Sequence, residues 1–257
     1  MKVIDTYRGP ERWTNLVDLQ VLFFRLTLDS ATEFLFGESV DSQLTELTGT
    51  QNSAKEFANA FDQSQLALSV GARLGDGYWL VHTREFHRMV KQVHDFVDYF
   101  VQKAMAPGAE KEKQDDKYVF LHALAQQTQD PIELRSQLLN ILLAGRDTTA
   151  STLGWFFFLM SQPKYTKYYE RLRAIVIDTF GTYEHPHDIS FESMKNCQYL
   201  QWCINETLRL YPVVSFNVRT AQVDTSLPTG GGPDGKSPVF VPKGQDVGYS
   251  VSLQAIE

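Results

Sequence analysis

Two short polar motifs occur in stretches of this chain that are otherwise apolar. The first is Ala-Gly-Arg-Asp-Thr-Thr at residues 144–149, and the second is Glu-Thr-Leu-Arg at residues 206–209. In a helix, Thr148 lies one turn after Ala144, so its hydroxyl can donate to that carbonyl oxygen and bend the helix. A hydroxyl, a carbonyl and the Asp147 carboxylate within one turn can hold water and relay protons. The first motif therefore predicts proton-transfer chemistry; a core helix whose threonines merely bond back to the helix is the alternative.

The second motif places an acid and a base on one helix face. Glu206 and Arg209 are three residues apart and are therefore neighbours on a helix. An exposed pair of this kind contributes little to stability. The flanking residues are largely apolar, and Pro212 ends the helix directly after the pair. These features predict that the helix packs on most sides and that Arg209 is largely buried in a structural hydrogen-bond network.

The cysteines and histidines show no metal-binding pattern. The two cysteines, Cys197 and Cys203, are too few and too close for a disulfide framework, and they suit a reducing compartment. We expect them to be small buried hydrophobic residues. No two histidines have the spacing that places two imidazoles on adjacent helical turns, as in His-Glu-x-x-His. The sequence therefore predicts no metal ligand among these side chains.

Composition excludes several classes of partner. With 257 residues, of which 43% are hydrophobic, the chain can form one large domain or two small ones. The net charge of −7, with both signs interspersed, argues against nucleic acid and against an anionic membrane held by bulk charge. The most apolar stretch, 138–160, carries Arg146 and Asp147 at its centre, so no transmembrane segment is predicted. The charged residues within the first twelve positions do not fit a signal peptide.

Hydrophobic periodicity predicts a chain that is helical through its first two thirds. Apolar residues recur at spacings of three and four, and Gly and Pro residues interrupt the pattern. Gly37 ends the first predicted helix, Pro107 and Gly108 end the third, and a charged connector follows at 110–117. The predicted helices are 16–36, 55–74, 78–105, 119–127, 131–161, 163–180 and 196–211. After Pro212, alternating residues predict strands at 216–221, 239–241 and 247–251 and a turn at 228–238. The predicted fold is mainly α with a small β-sheet, as a single domain over 1–257 with a helical body at 1–212 and a β region at 213–257.

Taken together, the motifs identify a family. The Ala-Gly-x-Asp-Thr-Thr motif, Tyr-Leu at 199–200 leading to Glu-Thr-Leu-Arg-Leu-Tyr-Pro at 206–212, and Asn-Val-Arg-Thr-Ala at 217–221 closely resemble the cytochrome P-450 superfamily of haem-thiolate monooxygenases. The stretch 23–37 and the long Pro- and Gly-rich turn resemble its fungal branch, which hydroxylates alkanes and fatty acids. The resemblance reaches to about Ser252 and implies a partial cytochrome P-450 fold.

The resemblance implies catalytic roles for the first motif. Thr148 would be the distal threonine that helps to deliver a proton to dioxygen, and Asp147 would be its acidic partner. Ala144 and Gly145 would face the oxygen pocket on the haem.

It also implies roles in the second half of the chain. Glu206 and Arg209 would form the structural pair that supports the proximal side of the haem, and Arg219 would bind a haem propionate. The cysteine loop that ligates the iron in this family (of the type Phe-x-x-Gly-x-x-x-Cys-x-Gly) has no counterpart here, because Cys197 and Cys203 do not lie in a Gly-rich loop. We therefore expect a chain truncated at both ends, with haem held by the complete parent and not stably by this chain.

The function implied by the resemblance is insertion of one oxygen atom into an aliphatic substrate of the alkane or fatty-acid type. Its partners would be an NADPH-dependent reductase and a hydrophobic small molecule. The parent would reside at the cytosolic face of the endoplasmic reticulum membrane, whereas this chain would be soluble and cytoplasmic, or misfolded. The alternative function is a non-catalytic helical remnant or interaction module without a cofactor.

Overall fold

A computed structural model describes residues 16–44, 53–106 and 118–251. The chain forms two compact units, Met1–Leu153 and Gly154–Glu257. The elements of the first unit are α1 (Leu19–Phe36), α2 (Ser53–Leu74), a 3-10 helix (Gly75–Val81), α3 (Arg84–Met105), α4 (Phe120–Ala125) and most of α5 (Pro131–Met160). Those of the second unit, after the end of α5, are a 3-10 helix (Pro163–Tyr165), α6 (Thr166–Phe180), α7 (Phe191–Asn196), α8 (Gln198–Leu210), β1 (Phe216–Thr220), β2 (Thr225–Gly231), β3 (Ser237–Val241) and β4 (Asp246–Ser250).

The first unit has one continuous hydrophobic core, to which α1, α2, α3, α4 and α5 all contribute. The ring of Phe57 stacks on Phe96 with centroids 4.1 Å apart, and Phe36 stacks on Phe100 at 4.6 Å. Leu138 of α5 is fully buried in this core. Each such side chain removed from water stabilises the fold by about 1.5–3 kcal/mol. This core therefore fixes the position of the N-terminal part of α5.

The ends of the helices follow local chemistry. Gly37 adopts a left-handed conformation (φ +81°) and its N–H donates to the Glu33 carbonyl, so the predicted end of the first helix is confirmed. The helix predicted over 78–105 begins too early, because Thr83 accepts a hydrogen bond from the Phe86 N–H and caps a helix that starts at Arg84. Residues before this cap form the 3-10 helix instead. The predicted end at 107–108 and the connector at 110–117 lie outside the described residues.

The helices of the second unit differ from the prediction in their boundaries. The helix predicted over 196–211 is α8, which begins two residues later than expected because the backbone leaves the helical region at Cys197 (ψ 81°). The short helix α7 before it was not predicted. The helix predicted from Pro163 opens with the 3-10 turn before α6. The indole ring of Trp155, near the end of α5, stacks on Tyr211, with centroids 4.1 Å apart.

The β region contains two separate two-stranded antiparallel sheets among the described residues. Strand β1 pairs with β4, with Arg219 opposite Val247, and β2 pairs with β3, with Leu227 opposite Val239. The strands predicted near 216–221 and 247–251 are confirmed. The turn predicted over 228–238 is too long, since β2 continues to Gly231 and pairs there with Ser237. The mainly helical class with a small amount of sheet is confirmed.

No helix in the described ranges is long and apolar enough to cross a bilayer.

Candidate functional site

Helix α5 has a buried side and an open side. Its buried side carries residues at every fourth position, all less than one tenth exposed: Leu134, Leu138, Leu142, Arg146 and Ala150. On the other side, Ala144 and Gly145 are exposed and Thr148 is partly exposed. The polar motif at 144–149 is thus divided: its arginine points into the core and its small residues face outward.

The open side shows the hydrogen bond predicted from the sequence. The Thr148 hydroxyl donates to the Ala144 carbonyl oxygen at 2.7 Å, and the Thr152 hydroxyl donates to the Thr148 carbonyl oxygen at 2.8 Å. A methyl group added at Gly145 would meet no atom within 4 Å. A flat ligand can therefore approach the backbone of this turn closely, next to a hydroxyl.

Asp147 lies at the border between the two sides, with its side chain 38% exposed. Partial burial raises the pKa of this carboxyl above its ordinary value; the adjacent Arg146 opposes the rise and the Asp62 carboxylate adds to it. Asp147 consequently keeps its proton to higher pH than an ordinary aspartate. The protonated carboxyl can act as a proton donor.

Arg146 is a buried cation that sequence reasoning did not single out. Its Nη2 lies 2.5 Å from Asp62 Oδ1 and its Nη1 lies 3.0 Å from Asp147 Oδ1. The guanidinium also lies over the rings of Phe24 and Phe61, at 5.1 and 5.4 Å from their centroids. The sequence does contain a signal, since Arg146 follows Leu142 by four residues on the apolar side of the helix.

Glu206 and Arg209 form the predicted pair on α8. Arg209 Nε donates to Glu206 Oε2 and Nη2 donates to Oε1, each at 2.7 Å, and this lowers the pKa of Glu206. The expectation that Arg209 is largely buried in a network is wrong, because the two side chains are about half exposed. The buried residue of this helix is Thr207, which directly follows Glu206 in the chain. The pair lies beside a cavity of about 390 Å³, which Glu206, Trp202 and other aromatic residues line.

Arg219 lies on β1, as predicted, and its side chain is exposed. Its Nη1 donates to the Val218 carbonyl oxygen at 2.9 Å, and its guanidinium lies 5.7 Å from the centroid of the Tyr249 ring on β4. No carboxylate neutralises this guanidinium among the contacts of the described residues. The charge is thus available to an anionic group. Its role in binding a propionate stays a prediction.

A sequence model of the family described as cytochrome P-450 matches residues 4–254. The chain belongs to the cytochrome P-450 family. It is 50% identical to cytochrome P-450 monooxygenase g430 of a Fusarium species over 98% of its length, and 49% identical to cytochrome P-450 52A10 of Candida maltosa over 91%. In each case the match covers 46% of the relative, so the chain spans about half the length of these relatives.

Solved structures agree on the fold of this cytochrome P-450 chain. The crystal structure of a cytochrome P-450DA haem domain superposes with a TM-score of 0.73 and 15% sequence identity, covering 99% of this chain and 51% of the other. At this identity the likeness shows the fold alone. The predicted partial cytochrome P-450 fold is confirmed.

Family membership implies a haem cofactor, and the residues of the α5 turn fit one. Exposed Ala144 and Gly145 leave room for a flat macrocycle, and Thr148 places a hydroxyl beside it. The two cysteines do not fit the role of an axial thiolate. Cys197 is buried at the α7–α8 junction, and partial burial raises the pKa of the Cys203 thiol on α8, which disfavours the thiolate.

The cysteines and acidic residues form no other metal site in the described ranges. No group of three or more His, Cys, Asp or Glu side chains is close enough there to hold an ion. The expectation that Cys197 is a buried hydrophobic residue is confirmed, whereas Cys203 is only partly buried.

Proposed function

We propose that the complete protein is a haem-thiolate monooxygenase that inserts one oxygen atom of O₂ into an aliphatic C–H bond. In the balanced reaction, RH, O₂, NADPH and H⁺ give ROH, H₂O and NADP⁺. The observation that carries the proposal is the Thr148 hydroxyl, held by the Ala144 carbonyl next to the open space at Gly145, in a chain of the cytochrome P-450 family. Bound haem supplies the iron at which O₂ is reduced.

The protein's own contribution is positioning and proton transfer. Gly145 and Ala144 allow the macrocycle to approach α5 without steric conflict. Thr148 holds and passes a proton at Oγ1, because its hydroxyl can donate and accept at once. Asp147 supplies that proton, since its raised pKa keeps the carboxyl protonated over a wider pH range.

The proposal also gives roles to three charged residues of the second unit. Arg219 binds a haem propionate, for which a charge-assisted guanidinium–carboxylate contact is well suited. Glu206 and Arg209 act as a rigid bidentate pair on α8 that supports the proximal side. Neither side chain of this pair reacts.

The proposed substrate class, alkanes and fatty acids, rests on resemblance. The cytochromes P-450 of the 52 group, from Candida and Debaryomyces, are 45–49% identical to this chain, and the sequence resembles the fungal branch that hydroxylates alkanes and fatty acids. Cytochromes P-450 take electrons from a redox partner; here we propose an NADPH-dependent reductase, at the cytosolic face of the endoplasmic reticulum membrane.

The test is expression of the complete reading frame with haem. We expect the reduced carbon monoxide complex to show the red-shifted band of a thiolate-ligated haem, and we expect dodecane or dodecanoic acid to be hydroxylated when reductase and NADPH are added. A complete, folded protein that lacks the thiolate band would overturn the assignment. Thiolate-ligated haem without product from either substrate would overturn the substrate class alone.

A second candidate function concerns the 257 residues by themselves. We infer that this chain is a helical module that does not hold haem stably. The observation that favours this is the poor suitability of Cys197 and Cys203 as thiolate ligands. Titration of the purified chain with haem tests it: weak binding supports the module, and tight, stoichiometric binding with a low-spin spectrum contradicts it.

A further inference from the structure

Arg146 is shared by two carboxylates from different helices. Asp62 comes from α2 and contacts Nη2, whereas Asp147 is the next residue on α5 and contacts Nη1. The Nε of the guanidinium is buried and has no hydrogen-bond partner. One cation thus balances two anionic groups, and part of its donor capacity is unused. The Arg146 side chain is only 5% exposed, whereas Asp62 and Asp147 are partly exposed, so solvent screens the two carboxylates more than the cation.

The two carboxylates face the same cavity. This cavity of about 470 Å³ is half open, and Arg146, Asp62 and Asp147 all line it. The other charged groups that face it are Arg25 of α1 and Lys55 of α2, and its neutral polar side chains are Ser42, Asn59 and Gln65. Apolar Val21, Phe24, Leu28 and Ala58 line the rest of the cavity. Solvent reaches its polar side at Asp62, whose side chain is about half exposed.

The geometry favours Asp62 in the competition for the guanidinium. Its contact to Arg146, at 2.5 Å, is shorter than the 3.0 Å contact of Asp147. Coulomb attraction grows as the distance falls, so the cation is neutralised more by Asp62 than by Asp147. Asp147 therefore lacks full compensation for its own negative charge. The direction of its pKa agrees, since Asp62 raises it and Arg146 only partly offsets the effect of burial.

We propose that Asp62 is a positioning residue for Asp147: by holding the shared Arg146 guanidinium, it weakens the ion pair between Arg146 and Asp147 and leaves the Asp147 carboxyl able to exchange protons with the cavity. This inference rests on the proposed function in one respect only, namely that Asp147 is the proton donor for Thr148. The contacts of Arg146 with Asp62 and Asp147, which we call the clamp, lie entirely within the first unit.

Removal of the Asp62 carboxylate should lower the pKa of Asp147. In Asp62→Asn the negative charge that repels the Asp147 carboxylate is lost, and the guanidinium turns more fully to Asp147. Both effects favour the ionised form of Asp147, so its pKa falls. A purely structural role for Asp62 would lower the stability of the fold and leave the titration of Asp147 in place.

The experiment is a carboxyl titration of the 257-residue chain labelled with ¹³C at aspartate side chains. The Asp147 signal is assigned from its absence in Asp147→Asn. We expect the Asp147 midpoint to move to lower pH in Asp62→Asn and in Asp62→Ala, and to return towards the parent value in Asp62→Glu. An unchanged midpoint in a neutral variant whose thermal melting shows a folded protein would overturn the proposal.

A matched control exists in the same unit. Asp98 of α3 accepts a hydrogen bond of 2.7 Å from Arg135 of α5, and both side chains are partly buried. Asp98→Asn also removes a carboxylate from an arginine on α5, but away from the cavity. We expect Asp98→Asn to leave the titration midpoint of Asp147 unchanged. A shift equal to that in Asp62→Asn would show a general charge effect and overturn the proposal.

The experiments distinguish an error in the proposed role of Asp62 from an error in the proposed function. If the Asp147 midpoint does not respond to Asp62 while the complete protein binds haem and hydroxylates dodecanoic acid, only the clamp is wrong. If the complete protein shows no thiolate band while the midpoint responds as expected, the clamp stands and the function is wrong.

Discussion

The Thr148 hydroxyl is bonded to the Ala144 carbonyl oxygen at 2.7 Å, one turn earlier on α5. The bond fixes the rotamer of Thr148 and leaves the hydroxyl oxygen able to accept a second hydrogen bond. The carbonyl that receives it belongs to the turn whose outer surface is open at Gly145. A proton-carrying group is thereby held in one orientation beside the space available to a ligand.

Replacement of Thr148 by valine removes this hydroxyl and keeps the shape of the side chain. In the complete enzyme we expect the rate of hydroxylation to fall by about 10²-fold, the lower end of the effect of a positioned proton-transfer group. The rate of product formation is measured, with NADPH consumption recorded beside it. Thr148→Ser, which retains a hydroxyl, serves as the control and should keep most of the activity; equal losses in both variants would contradict a role for the hydroxyl.

Asp147→Asn should be more stable than the parent chain at neutral pH. The pKa of Asp147 is higher in the folded state than its unfolded-state pKa of 3.8, because the folded protein disfavours the charged carboxylate. The parent therefore loses stability as the pH rises from the unfolded-state pKa through the folded-state pKa. The asparagine variant has no such loss. Thermal melting should therefore show a larger gain at about pH 7 than at about pH 4. A constant difference at every pH would contradict the raised pKa.

Removal of the buried cation should be costly. Arg146→Ala leaves Asp62 and Asp147 without a partner and opens space over Phe24 and Phe61. We expect the free energy of unfolding to fall by about 2–4 kcal/mol, less than for a fully buried pair because both carboxylates reach solvent. Urea denaturation measures this. Arg135→Ala, with a more exposed guanidinium, should cost about 1 kcal/mol.

The hydrophobic contribution of α5 can be measured separately. Leu138 is fully buried in the core of the first unit, and Leu138→Ala should lower the free energy of unfolding by about 2–5 kcal/mol. Ile132, on the same helix and 62% exposed, provides the comparison: its replacement by alanine should change stability by less than about 0.5 kcal/mol. Similar losses in the two variants would contradict the assigned buried side.

Arg219 provides a test on the second unit. In the complete protein, Arg219→Gln should weaken haem retention by about tenfold or more, since a hydrogen bond to a charged group contributes ~1.5–3 kcal/mol. Transfer of haem to apomyoglobin measures retention. Arg173→Gln, at an exposed position of α6, is the control and should have no effect. Equal retention in the two variants would remove Arg219 from the haem site.

Local signals made much of the helical fold predictable from the sequence. Gly37 and Pro131 mark helix boundaries that need only backbone geometry, and both occur where expected. The start of α3 was missed because the apolar residues before Thr83 continue the helical pattern, whereas the threonine cap stops it. Likewise, the hairpin of β2 and β3 extends into a Gly- and Pro-rich stretch that has the composition of a turn.

The candidate site was predictable in its residue types but only partly in its environment. The bond from Thr148 to Ala144 follows from helical spacing alone. The burial of Arg146 depends on Asp62, which is 84 positions earlier in the chain (146 minus 62), and no local pattern relates the two. The exposure of Arg209 was missed for a similar reason, because flanking apolar residues do not determine which face of α8 is covered.

The four-residue spacing of the buried side of α5, from Leu134 to Ala150, has a consequence for how this helix can change. In an α-helix, side chains four residues apart differ in direction by about 40°, because four residues are slightly more than one turn. Over the four such steps from Leu134 to Ala150, the buried side of the helix therefore rotates by about 160° around the helix axis. Insertion or deletion of one residue within this segment would rotate every later side chain by about 100°. Thr148 would then leave the exposed surface and Arg146 would leave Asp62. Substitutions can adjust this helix one position at a time, but its length between Leu134 and Ala150 cannot vary.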